Sequence, residues 1–77
     1  MHMMQELDQV VVVENLNELS VQAGDIGTIV HVYQAQKAYE VEFVSLTGRT
    51  LGVTTLAAGK IRAVHEGEIA HARPLAV

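Results

Sequence analysis

Apolar and charged residues alternate most strictly where Tyr39, Val41 and Phe43 are separated by Glu40 and Glu42. Successive side chains of a β-strand point to opposite faces, so this alternation predicts a strand with one buried face and one solvated face. We therefore expect Val41 and Phe43 to lie in the core, and Glu40 and Glu42 to face solvent.

A second alternating stretch runs from Ile26 to Tyr33, with even-numbered and odd-numbered positions on opposite faces. We assign its even positions Val30 and Val32 to the core. Val53, in a later β-rich run, is assigned to the core as well. The odd positions Ile29 and Tyr33 are then expected to face outward.

Turn-forming residues recur every 8–12 residues, a spacing typical of small sandwiches and barrels. Three further strands are predicted at residues 9–13, 50–56 and 61–64. Gly52, inside one of them, indicates a bulge or a sharp bend. Closure into a barrel removes the unpaired edges that such a meander would expose. The prediction is an all-β, five-stranded antiparallel SH3-like barrel over residues 6–64, followed by a C-terminal tail over residues 65–77.

The predicted tail contains Ile69 and Leu75, two large apolar side chains that are costly to leave in water on so small a domain. The Val10–Val13 run is apolar on both faces, so one of its faces needs a cover. We expect the tail to pack there, either on its own barrel or on a second copy in a homodimer.

The run from Ala23 to Tyr33, the Tyr-Glu-Val-Glu-Phe strand at 39–43 and the Ile-Arg-Ala-Val segment at 61–64 follow one another in a specific order. In this order and spacing they resemble the small bacterial proteins grouped as domain of unknown function 4926. The resemblance covers residues 6–64 and implies an SH3-like barrel, with no established activity and no catalytic residues.

The turn and strand at residues 24–30 are also similar, more distantly, to KOW motifs of ribosomal and transcription-associated barrels, and to the barrel in the β subunit of nitrile hydratase. The basic residues usual in a nucleic-acid-binding KOW motif are replaced here by Glu18, Asp25, Glu40 and Glu42.

The formal net charge is −4, and the five basic residues are scattered along the chain. Nucleic-acid binding requires clustered Lys and Arg, so we expect no appreciable binding of that kind. Without cysteine there is no disulfide framework and no thiolate metal site, which favours a reducing, cytoplasmic location. The longest apolar run is too short to span a membrane, and no membrane association is expected.

Candidate chemistry is sparse. The four histidines lack the spacing of a zinc site. Glu40 and Glu42 are more simply explained as residues on the solvated face of a strand than as a catalytic pair. No nucleophile elbow and no phosphate-binding glycine loop is present. We therefore predict no catalytic, cofactor-binding or metal-binding residues, no cofactor, and no enzyme activity.

The partner-surface candidates are the apolar residues on the outward parity or in turns: Ile29, Tyr33, Val44 and Leu46. If they cluster, they form an apolar patch of the kind that marks a protein interface. The leading hypothesis is a non-enzymatic protein–protein interaction module, a small accessory or inhibitor-like (antitoxin- or immunity-type) partner of another protein encoded nearby. The alternatives are a KOW-like nucleic-acid-associated barrel and an accessory subunit of an enzyme.

Overall fold

The structure is a computed structural model that describes residues 4–75. Short β-rich runs separated by turns give five strands in this part of the chain, and none of its helices is long and apolar enough to cross a membrane. Two 3-10 turns, Gln34–Gln36 and Ala58–Lys60, connect strands. The strands are β1 (Gln9–Val12), β2 (Ile26–Val32), β3 (Ala38–Val44), β4 (Thr50–Ala57) and β5 (Ile61–Ala63).

The five strands form one antiparallel sheet in the order β4-β3-β2-β1-β5. Strands β1 to β4 follow one another as neighbours, and β5 returns to pair with the far side of β1. In the described residues β4 and β5 are the two ends of the sheet. The prediction of an all-β, five-stranded antiparallel fold is confirmed.

A single hydrophobic cluster takes side chains from all five strands. No second sheet and no α-helix covers this cluster within residues 4–75, so the sheet must curve around its own apolar face. The side chains are mainly aliphatic, as a chain with one Phe and no Trp requires. The buried members are Val10, Val12, Val21, Ile29, Tyr39, Val41, Phe43, Leu56 and Ile61.

The prediction for β3 is confirmed, because Val41 and Phe43 are 0% and 2% exposed while Glu40 and Glu42 lie on the opposite face, half-buried. The prediction that Val53 lies in the core is wrong, because its side chain is 49% exposed. It pairs directly with Glu42, and residues opposite each other in an antiparallel ladder share a face. Val53 therefore lies on the outer face of the sheet.

The predicted assignment of the two faces of β2 is also wrong. Ile29, expected to face outward, is 0% exposed and lies in the core, whereas Val30, expected in the core, is 37% exposed. The register between β2 and β3 shifts here, since Ile29 pairs with Val41 and His31 pairs with Glu40. This bulge at Val30 inverts the alternation, so that Val32 is half-buried although Val30 is not.

The bulge predicted from Gly52 is confirmed. Phe43 pairs with Gly52 and Val44 pairs with Thr50, which leaves Leu51 as the extra residue on β4. The side chain of Leu19 packs directly over Gly52, where an added Cβ would lie 2.7 Å from its Cδ2. The loop before β2 thus reaches across to β4 and closes one end of the core.

Candidate functional site

The C-terminal tail is attached to the turn that precedes β2 through Arg73. The guanidinium donates from Nε to Asp25 Oδ1 at 2.9 Å and from Nη2 to Asp25 Oδ2 at 2.5 Å. The same Nη2 donates to the carbonyl oxygen of Ser20 at 2.7 Å. A bidentate pair of this kind fixes direction as well as distance, so it sets the path of the tail over the turn.

Asp25 forms hydrogen bonds within its own turn as well as with the tail. Its Oδ2 accepts a hydrogen bond from the backbone N–H of Gln22 at 2.8 Å. Partial burial would raise the pKa of Asp25, but the hydrogen bonds from Arg73 and Gln22 and the positive charge of Arg73 hold it below its ordinary value. Asp25 therefore remains a carboxylate, which is the form that the Arg73 contact requires.

A second attachment lies at the start of the tail, between Arg62 of β5 and Glu68. Nη1 and Nη2 of Arg62 donate to Oε1 and Oε2 of Glu68 at 2.9 and 2.7 Å. Glu68 Oε1 also accepts from the backbone N–H of His65 at 2.6 Å. The Arg62 hydrogen bonds, followed by the His65 N–H, lower the pKa of Glu68 to about 2. These bonds close the turn that directs the chain away from β5.

Between the tail and the sheet lies a cavity of about 380 Å³, which we call the tail groove. Its lining comes mainly from the turn before β2, the end of β3 with the loop that follows it, and the tail itself. The wall is mainly apolar, with Arg73 and His71 contributed by the tail. The large apolar lining residues are Ile26, Phe43, Val44, Leu46, Leu51 and Leu75.

The four partner-surface candidates do not form one patch. Val44 and Leu46 are 46% and 90% exposed and lie together in the wall of the tail groove. Tyr33 is also exposed, but its N–H bonds to Ala38 at the opposite end of β3, about 20 Å from Val44 at ~3.4 Å per residue. Ile29 is buried in the core and cannot contribute to any surface.

The two tail-packing candidates differ from each other. Leu75 is half-buried and lines the tail groove. Ile69 is 92% exposed among the described residues, because the Arg62–Glu68 turn directs it into solvent. Positions 76 and 77 of the predicted tail lie outside the described residues, and exchange of the tail between two copies stays a prediction.

Neither Arg73 nor Asp25, the polar residues that build this site, was among the predicted site residues. Arg73 and Asp25 are 48 positions apart, and no local pattern connects them. The one available signal was that Arg73 is the only Lys or Arg in the predicted tail. Such a residue is most simply explained by a carboxylate that it binds.

In the described part of the chain, titratable side chains outside the tail contacts do not converge on a common site. Among residues 4–75 no group of three or more His, Asp or Glu side chains could hold a metal ion. His31 packs edge-to-face on Tyr33, with ring centroids 4.7 Å apart. Glu40 accepts a hydrogen bond from the Thr55 hydroxyl across the β3–β4 pair. These contacts are accounted for by the packing of the outer face.

Comparisons with known proteins place the chain in one family. No curated protein and no solved structure was found to match it. A family model described as a domain of unknown function, DUF4926, matches residues 6–63, which include all five strands and exclude the tail with its Arg73. Since this match spans more than half of the sequence, the chain belongs to the DUF4926 family.

Proposed function

We propose that this chain is a non-enzymatic protein–protein interaction module, a small accessory or inhibitor-like partner of a separately encoded protein. The observation that carries the proposal is the tail groove, where Leu46 stands almost fully exposed beside Val44 at the mouth of an apolar cavity. An exposed apolar surface rimmed by polar groups is characteristic of protein contact sites. Its occupant is an apolar side chain or short apolar segment of the partner.

The architecture that we infer for the module is an SH3-like barrel. The strand order supports this, because the last strand returns to the first while the other strands follow one another. The shared core of five strands supports it as well.

The charge distribution favours a protein partner over a nucleic acid. Lys60, Arg62 and Arg73 each form a salt bridge, with Glu14, Glu68 and Asp25 respectively. Of the five basic residues, Lys37 and Arg49 then remain for phosphate contacts, and the net charge is −4. An acidic module of this kind fits a basic surface on its partner, as an antitoxin- or immunity-type inhibitor would.

The test is capture of a partner from the source cells by the immobilised full-length chain. The wild type is expected to retain one protein in stoichiometric amount, and Leu46→Asp to lose it, because a carboxylate at the mouth of the groove opposes apolar contact. Leu7→Asp is the matched control: Leu7 is also highly exposed but does not line the groove. Equal capture by the wild type and Leu46→Asp, or capture of nucleic acid in place of protein, would contradict the proposal.

A further inference from the structure

The outer edge of β4 has no neighbouring strand in the part of the chain that the structure describes. Strand β4 forms one end of the sheet and pairs with β3 alone. Within residues 4–75, no backbone hydrogen bond joins Thr50–Ala57 to any segment other than β3. Alternate residues of an edge strand direct their N–H and C=O groups outward, so β4 presents a row of free donors and acceptors.

This edge lacks the usual protection against pairing. Edge strands are commonly short, or carry Lys, Pro or inward-pointing charges. Strand β5, at the other end of the sheet, fits that description, with three residues and Arg62 at its centre. Strand β4 has eight residues, with no charge and no proline, and its one irregularity lies at Leu51 near its start. From Val53 to Ala57 the edge is regular.

We propose that the occupant of this edge is a second copy of the chain, which pairs antiparallel with β4 about a two-fold axis and joins the two sheets into one. In such a pair each strand meets itself, so any charged residue near the axis would face a like charge. The chain has a net charge of −4, but β4 contains no charged residue. Two copies can therefore pair along β4 without placing like charges opposite each other.

Side-chain chemistry along the edge is self-complementary. A register centred on Thr54 places Val53 of each copy opposite Thr55 of the other on the outer face, where both are exposed. Pairs of β-branched residues across antiparallel strands are favourable. The strand carries no charged group that would select a different partner.

Sedimentation equilibrium of the full chain over a range of concentrations tests this assembly. The wild type is expected to shift from one to two chain masses as concentration rises. Val53→Lys should require a concentration about tenfold higher or more for the same dimer fraction, since the charge enters the interface twice. Val30→Lys is the matched control, because Val30 is a similarly exposed valine on the outer side of a central strand.

Three outcomes would overturn the inference: a wild type that stays monomeric up to about 1 mM, a Val53→Lys variant that dimerises as the wild type does, or a Val30→Lys variant that is weakened equally. Thr55→Lys replaces Val53→Lys if the latter does not fold. Amide exchange of the wild type gives an independent reading. At concentrations that form dimers, alternate amides of β4 should become protected while those of β5 do not, and unchanged protection along β4 contradicts pairing at this edge.

Discussion

Phe43 is the largest fully buried side chain among residues 4–75, and it is the only phenylalanine of the chain. It lies in the aliphatic cluster and also forms part of the floor of the tail groove. A domain of this size has a total stability of only about 5–10 kcal/mol. The energetic contribution of this one ring is therefore large in proportion.

We expect Phe43→Ala to lower the free energy of unfolding by about 3–5 kcal/mol, since it removes a buried aromatic ring and leaves a cavity. Urea or thermal unfolding measures the change. Leu46→Ala is the control, because Leu46 is exposed and its truncation should change the stability by less than about 0.5 kcal/mol. A Phe43→Ala protein that unfolds at nearly the wild-type temperature would contradict the assignment of the core.

Gly27 is required where β1, β2 and β3 come together. An added Cβ would lie 2.5 Å from Val41 Cγ1 and 2.8 Å from Phe43 Cε1. Neither atom belongs to a side chain that can move aside easily, because valine is stiff at χ1 and the Phe43 ring is packed.

We therefore expect Gly27→Ala to destabilise the fold by about 1–3 kcal/mol through overpacking. Gly59→Ala is the matched control, since an added Cβ there would meet no side chain within 4 Å beyond those of its chain neighbours. The stability of Gly59→Ala should be unchanged, or raised by up to about 1 kcal/mol because alanine lowers the conformational entropy of the unfolded chain. Equal melting temperatures for the two variants would argue against close packing at Gly27.

At the scale of elements, the tail is held mainly by two bidentate ion pairs, Arg73–Asp25 and Arg62–Glu68. Its apolar contribution comes chiefly from Leu75, because Ile69 is exposed. Electrostatic attachment of this kind depends on the protonation of the two carboxylates, so the tail should respond to pH before the core does.

The pKa of Glu68 is about 2 in the folded chain, below its ordinary value of 4.5. Because the pKa of Glu68 is lower in the folded chain, its ionised carboxylate stabilises the folded tail at pH values above about 4.5. This contribution is lost as the pH falls from about 4.5 to about 2. We expect the NMR signals of the Glu68 carboxyl carbon and of the Ile69 side chain to shift over that acidic range.

Glu68→Gln should reproduce the shift of the Ile69 signals at neutral pH, because an amide cannot accept both guanidinium bonds. Glu66→Gln, at the exposed neighbouring carboxylate, is the control and should leave the signals of Ile69 unchanged. A Glu68 carboxyl that titrates near 4.5 would show that the Arg62 contact is not formed in solution.

At the scale of the whole molecule, the charge distribution opposes binding to phosphate backbones. We expect no binding of single- or double-stranded RNA or DNA at about 150 mM salt tighter than the ~10⁻⁴ M end of non-specific association. Fluorescence anisotropy with labelled oligonucleotides measures it. Sub-micromolar binding of any of them would contradict this expectation and favour a KOW-like function.

What the sequence by itself determined is the part of the fold that depends on local periodicity. The alternation of Tyr39, Val41 and Phe43 with Glu40 and Glu42 identified β3 and its buried face, because side-chain parity within a regular strand follows from the backbone alone. The turn spacing gave the number of strands, and Gly52 marked its bulge.

Only the tertiary structure decided which positions depart from that periodicity and which distant residues meet. The bulge at Val30 depends on how β2 pairs with β3, and no residue type in β2 predicts it. Val21 is buried although it lies in a loop, because the loop folds over the end of the core. The tail groove exists because Arg73 reaches Asp25, 48 residues earlier, and contacts of that separation arise from the path of the chain through space and not from any local pattern.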